Sequence, residues 1–276
     1  KELLLMSEIV DTSNTEFNEF MHMPIVALRG LTVFPGMSLH FDVGRKKSIA
    51  ALKNAMNNDQ RIFLVAQKDA GVNEPELDDL YEVGVVCEIK QMIKIPNSPN
   101  LRVAVEGLCR GDLITIIQPK PFLVGVINEI DEKIAPQTPE NNAYARLLKD
   151  EFENYALKIA KVSNEVISKI ISINEIGELA DFICANTFFD YPDKQKILNE
   201  FDPQKRAEML FALLKNENLT LNIEAEIQEK VNKEVDKNQR EYYLREEMKV
   251  IADQLGDGEN PIEEADEYRE KIDALK

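Results

Sequence analysis

Histidine is nearly absent from this 276-residue chain, which has only His22 and His40, and its cysteines number three, Cys87, Cys109 and Cys184. With no HExxH and no CxxC pair, no stretch of the sequence supplies a local metal-ligand set, and no metal site is expected. The cysteines stand in apolar segments, which predicts buried, reduced thiols in a cytosolic protein. No GxxxxGKS/T is present, so no P-loop can cradle a triphosphate, and no GxGxxG follows a strand. Nowhere does an apolar run approach the ~18 residues that a membrane span requires. Leu3-Leu4-Leu5 is too short for a signal peptide and is followed at once by Glu8 and Asp11. Cationic residues are in deficit as well. Lys and Arg total 33 against 50 Asp and Glu, a net charge of −17 that counts against a nucleic-acid surface.

What is present is a globular composition, 44% hydrophobic and 30% charged, over a length sufficient for one large domain or two ordinary ones. Residues 1–21 are polar and weakly patterned and read as a flexible leader. Short strands then follow, at 24–28, 38–43, 62–66, 81–95, 101–105, 113–117 and 122–130, with one helix at 46–57 among them. Gly84 is a candidate bulge, and Pro96-Asn97-Ser98-Pro99-Asn100 turns the chain back on itself. This pattern predicts a β-rich pseudo-barrel lobe over 22–130.

After a linker at 131–137 the strand signals stop. Thr138-Pro139 opens a helix that runs to about 162, with threonine as cap and proline at the first helical position. Ser163, Ile176, Pro192 and Asp202-Pro203 mark further helix starts, the last helix ending near 215. The helical lobe is therefore expected over 138–217. From 222 to 255 no proline or glycine interrupts the chain, and Gly256 suits a helix C′ position. Ile223, Ile227, Val231 and Val235 recur every fourth residue, then Leu244, Met248, Ile251 and Leu255 resume beyond a polar middle. A helix of about 34 residues reaches ~50 Å, and one that is polar on every face between 236 and 241 reads as a strut. The expected architecture is α+β: a β-rich pseudo-barrel lobe, then an all-helical lobe ending in one long protruding helix at 218–256. The first half of the apolar stripe is expected to pack on the chain's own helical lobe. Residues 257–276 start a linker whose helix is barely begun, as if cut from a longer chain.

Chemistry is harder to find. Gly36-Met37-Ser38-Leu39-His40 looks like a broken nucleophile elbow, but it lacks the glycine two residues after the serine and the strand–turn–helix context. Ser38 and His40 read instead as solvent-facing residues of an edge strand. No catalytic residue is expected in the chain. A protein-binding surface is the better candidate: Met92, Ile93, Ile95 and Leu101 flank the hairpin tip, and Phe34, Pro35 and Met37 lie in a turn. Arg29 and Arg45 read as lobe-stabilising charges rather than ligand contacts.

Two motifs resemble a known family. Asn238-Gln239-Arg240-Glu241-Tyr242-Tyr243-Leu244-Arg245-Glu246-Glu247-Met248-Lys249 is similar to the pre-ATPase helix of Lon proteases. Met23-Pro24-Ile25-Val26-Ala27-Leu28-Arg29-Gly30, Val33-Phe34-Pro35-Gly36 and Val43-Gly44-Arg45 resemble the opening of the bacterial Lon substrate-binding domain. The resemblance covers roughly residues 22–276. It implies the N-terminal region of a cytoplasmic, hexameric, ATP-dependent serine protease that degrades misfolded, damaged and short-lived regulatory proteins. The region itself would bind unfolded or degron-bearing substrates and position them for the ATPase ring. It would hold no cofactor; ATP and magnesium would serve the ATPase module, and the catalytic Ser and Lys the protease domain. Tyr242, Tyr243, Leu244 and Met248 would then contact another subunit or the ATPase module. The competing expectation is a non-enzymatic adaptor or oligomerisation scaffold built on the same lobe.

Overall fold

The computed structural model of the protein describes residues 20–159, 162–255 and 268–274. The chain divides into two compact units, residues 1–216 and 217–276.

The first unit begins with strands β1 (Phe20–Leu28) and β2 (Ser38–Val43), helix α1 (Lys46–Asn57) and strand β3 (Arg61–Ala66). Strands β4 (Val83–Lys94), β5 (Leu101–Gln118) and β6 (Val124–Ile130) complete the sheet. Its order is β2-β5-β4-β3-β1-β6, and a further β5–β6 pairing closes five strands into a barrel, leaving β2 on the outside of β5. Closure is possible because β5 is 18 residues long and bends: its first half pairs with β2 and its second half with β6. Inside, the two-residue period of strands places Met23, Ile25 and Ala27 beside Phe63 and Val65, with Leu113 and Ile127 closing the core.

Several boundaries differ from the sequence reading, each for a physical reason. β1 starts at Phe20, so the leader ends earlier than residue 21; Phe20 and Met21 pair with Asn128 and Ile127 of β6. The two strands expected at 101–105 and 113–117 are one strand. Gly107 and Gly111, which look like breaks, are places where a neighbour comes close: a Cβ at Gly111 would stand 2.8 Å from the Ile127 side chain. Gly84 is not a bulge either. The register shifts fall at Val86/Cys87 and Ile89/Gln91, and Gly84 leaves room for the Phe63 ring and the Leu64 carbonyl.

Five helices follow the barrel: α2 (Pro139–Lys158), α3 (Asn164–Ser172), α4 (Ile176–Ala185), α5 (Tyr191–Asn199) and α6 (Pro203–Leu255). Thr138 caps α2 by accepting from the Asn141 amide, and Pro139 supplies the first turn. α2 stops at Lys158 rather than 162. No stop occurs near 215: α6 is a single helix of 53 residues that begins in the first unit and continues through the second. Every residue from 222 to 251 is exposed, Ile223, Ile227, Val231 and Val235 among them. Residues 1–19, Gly256 and the acidic turn at 257–261 lie outside the described residues; 268–273 are helical. Among the described residues no helix is long and apolar enough to cross a membrane.

Candidate functional site

The turn between β1 and β2 is built around Phe34-Pro35-Gly36-Met37. The Met37 amide donates to the Phe34 carbonyl at 3.2 Å, and Gly36 has φ +70°, with proline just before it. That is the residue order a type II turn demands, since only glycine takes the left-handed position cheaply. The turn is fastened to β5 by two bonds of 2.9 Å, Gly36 N–H to the Gly107 carbonyl and Gly107 N–H to the Met37 carbonyl. Residue 107 must be glycine because the Phe34 carbonyl lies where a Cβ would project. Phe34 is the anchor: at 0% exposure it belongs to the core, not to the apolar surface patch in which the sequence reading placed it.

Pro35 and Met37 remain half-buried and form one wall of a cleft of about 300 Å³. The opposite wall comes from α3 and α4 and includes Val166, Phe182 and Ala185. Ser163 caps α3 through the Val166 amide at 3.4 Å, which fixes Val166 in the first turn at the cleft. The Lys169 ammonium lies 4.5 Å from the centre of the Phe182 ring, a distance at which cation and π face attract. Lys169 also lines a larger neighbouring cleft of about 740 Å³, formed by the 132–137 linker and the facing ends of α3 and α4. There the Asn141 side-chain amide donates to the Pro136 carbonyl at 2.8 Å and holds the linker against α2.

A buried ionic cluster keeps the two walls in register. Arg110 of β5 binds Asp181 of α4 through both guanidinium Nη atoms, and Arg206 of α6 donates to the same carboxylate at 2.6 Å. Glu132 in the linker pairs with Arg110 as well. Arg110 Nε donates to the Leu198 carbonyl at 2.9 Å, and Gln195 of α5 reaches the Val83 carbonyl of β4 at 2.8 Å. Two arginines and two carboxylates balance, so the barrel and the helices meet through satisfied charges rather than stranded ones.

Of the other residues singled out by sequence, Met92, Ile93, Ile95 and Leu101 form a separate group at the β4–β5 hairpin. Ile93 is exposed, Met92 and Ile95 are half-buried, and Leu101 is buried. They do not meet the turn: Leu101 pairs with Val43 at one end of β2, whereas the turn precedes Ser38, opposite Glu106, at the other. Ser38 and His40 are exposed on β2, which pairs only with β5 among the described residues. Tyr242, Tyr243, Leu244 and Met248 are each more than half exposed on α6. Val166, Lys169, Phe182 and Ala185 carried no sequence signal, because their role depends on a turn some 130 residues earlier. Among the described residues no group of His, Cys, Asp and Glu is arranged to hold a metal ion.

Residues 22–216 match the sequence profile of the ATP-dependent protease La (LON) substrate-binding domain. The Lon protease of Clostridium acetobutylicum is 41% identical over 250 residues, 91% of this chain and 32% of that protein. That of Clostridioides difficile is 42% identical over 258 residues, 92% and 33% respectively. Lon protease 1 of Bacillus subtilis is 38% identical over 251 residues. The chain spans about a third of the length of these relatives. Among solved structures, the N-terminal domain of a Mycobacterium avium complex Lon protease superposes with a TM-score of 0.59 at 18% identity, over 71% of this chain and 98% of that one. The Lon N-terminal domain protein of Xanthomonas campestris gives 0.52 at 14% identity, over 70% and 98%. Those two likenesses bear on the fold alone.

Proposed function

This chain belongs to the Lon protease family through its substrate-binding domain, and from that membership we propose that it captures unfolded or degron-bearing segments of proteins in the cleft between the 34–37 turn and helices α3 and α4. The observation that supports this is the pairing of Pro35 and Met37 with Val166, Phe182 and Ala185 across an open cleft, with Ser38, Ser163, Glu165, Lys169 and Asn186 supplying polar groups around them. Such a surface suits an extended chain with apolar side chains and rejects a folded protein, whose apolar groups are already packed. Each capture is weak, and avidity across a ring of copies raises it.

The full-length protein, on this reading, is a cytoplasmic hexameric serine endopeptidase driven by ATP and magnesium. It removes misfolded, damaged and short-lived regulatory proteins. The unbroken helix α6 carries the captured segment's position to the ATPase ring, with Tyr242, Tyr243, Leu244 and Met248 making the contacts there. The hairpin group of Met92, Ile93, Ile95 and Leu101 serves as a second, smaller contact for substrate.

The test is a fluorescence-anisotropy titration of a labelled, permanently unfolded protein, with its folded counterpart as control. Preferential binding of the unfolded form is expected. Met37→Glu weakens it about tenfold, the loss expected when one large apolar contact is replaced by a charge. Equal or absent binding of both forms up to ~100 μM, an affinity of only ~5 kcal/mol, overturns the reading.

A further inference from the structure

A second groove, of about 210 Å³, lies between the last residues of β1 and the last residues of β2. It exists because both strands have an unpaired side there. β1 pairs with β6 only through residues 20–24, so Val26, Ala27 and Leu28 have a strand partner, β3, on one side alone. β2 pairs with β5 from Ser38 to Val43 without a register shift and has no partner on its other edge among the described residues. Edge strands are usually blunted by proline, lysine or a bulge, and the sequence Ser-Leu-His-Phe-Asp-Val has none of these.

The charges of this groove are unusual for so acidic a chain. Arg29 and Arg45 both line it, and neither forms an ion pair among the described residues. Arg29 donates to the Val72 carbonyl at 3.1 Å and to the Asn73 side-chain oxygen at 2.7 Å, while Arg45 donates to the Gln67 side-chain oxygen. Of the carboxylates near them, Glu74 is paired with Lys47, and Asp42, which lines the groove, with Arg102. Burial, and after it the proximity of Arg29, holds the Arg45 guanidinium below its ordinary range, with Glu74 opposing. The two residues, expected from sequence to stabilise the lobe, are bonded within it to neutral oxygens rather than to carboxylates. α1 starts at the same place with Arg45 as its cap residue, no side-chain cap bond and no acidic residue in the first turn. Ser48, on that turn, lines the groove at 8% exposure.

We propose that this groove binds the carboxyl terminus of an extended polypeptide. The terminal carboxylate is held by Arg29, Arg45 and the Ser48 hydroxyl at the start of α1, and the last apolar side chains lie against Leu31 and Phe41. The free edge of β2 supplies backbone partners, the mode in which a strand adds to a sheet and a terminal carboxylate is captured beside it. Charge decides the occupant: the nearby carboxylates, Asp42 and Glu74, are paired with Arg102 and Lys47, so the two arginines ask for a further anion, and an internal apolar segment has none to offer. The inference rests on the substrate-binding reading and names one class of segment, apolar C-terminal ends.

The test uses an eight-residue fluorescein-labelled peptide ending in valine and leucine, once as the free acid and once as the C-terminal amide, titrated with the whole 276-residue chain. The acid is expected to bind about tenfold tighter, the worth of hydrogen bonds to a charged group. Arg45→Gln and Arg29→Gln should bring the acid down to the level of the amide and leave the amide where it was, which also reports that the variants fold. Equal affinity of acid and amide for the unaltered protein overturns the proposal. If the permanently unfolded protein still binds in that case, only the carboxylate site falls; if it does not, the capture reading falls too.

Discussion

Arg110 and Asp181 join the barrel to the helices by a two-pronged ion pair, at 2.7 and 2.6 Å, with Arg110 at 0% and Asp181 at 3% exposure. They are 71 residues apart in sequence. Because Arg206 shares the same carboxylate, Asp181 is the point at which β5, α4 and the start of α6 are tied together. The cleft walls depend on it: α4 carries Phe182 and Ala185, and β5 carries the Gly107 to which the Pro35–Met37 turn is bonded.

Removing that carboxylate leaves Glu132 alone to balance two buried guanidinium groups. Asp181→Ala is expected to destabilise the protein by about 3–5 kcal/mol, the usual cost of breaking a buried pair by deleting one partner. Urea denaturation followed by circular dichroism measures it. A loss under ~1 kcal/mol means that water reaches the arginines in solution.

Gly107→Ala tests the fastening of the turn. The added methyl meets the Phe34 carbonyl, a backbone atom that cannot swing aside. A cost of about 1–3 kcal/mol is expected from overpacking, together with weaker capture of the unfolded protein, since the same carbonyl closes the turn that presents Met37. Unchanged stability with unchanged binding contradicts the geometry described for residues 34–37.

Much of this architecture is legible in the sequence where the rule is local. The bounds of α1, 46–57, follow from apolar spacing, and Thr138 and Ser163 announce helices by their capping chemistry. The family likeness is legible too, from the runs at 23–36 and 238–249. Gly107 and Gly111 mislead because a glycine that admits a neighbour's backbone or side chain looks the same in sequence as one that ends a strand. Phe34 misleads for a related reason: its place between a turn and a strand does not say which way the ring points. The cleft itself needs Val166 and Phe182 opposite Met37, and no local pattern encodes a meeting that Arg110 and Asp181 arrange.

The thiols give a pH-dependent prediction. Burial pushes the Cys184 thiol up to about 12 and Cys109 up to about 11, where Glu129 adds to the effect and Arg61 opposes it; Cys87 is raised by burial and then by Cys109. At pH 8 the folded protein should therefore react slowly with iodoacetamide at all three, Cys109 leading as the half-buried one, and quickly once urea is added. Mass spectrometry of the labelled peptides reads the order. The sign for stability follows: a thiol whose folded pKa is raised supports the fold below the unfolded value near 9, and that support fades as the pH climbs from there towards 11 and 12. A native protein that labels as fast as the unfolded one removes the basis for both statements.

The apolar stripe of α6 supplies the last test. Ile223, Ile227, Val231 and Val235 are between 47% and 57% exposed. A four-residue spacing advances ~40° around a helix at each step, so the four side chains wind over the surface instead of forming one seam. A single neighbour helix cannot cover all of them at once. Substituting lysine at Ile227 and Val231 together should leave the unfolding free energy within about 0.5 kcal/mol of the unaltered protein, as for exposed sites generally, with helix content by circular dichroism unchanged. A loss of several kcal/mol that grows with protein concentration would show that the stripe is buried between copies. The same loss independent of concentration would show that it is buried within one chain.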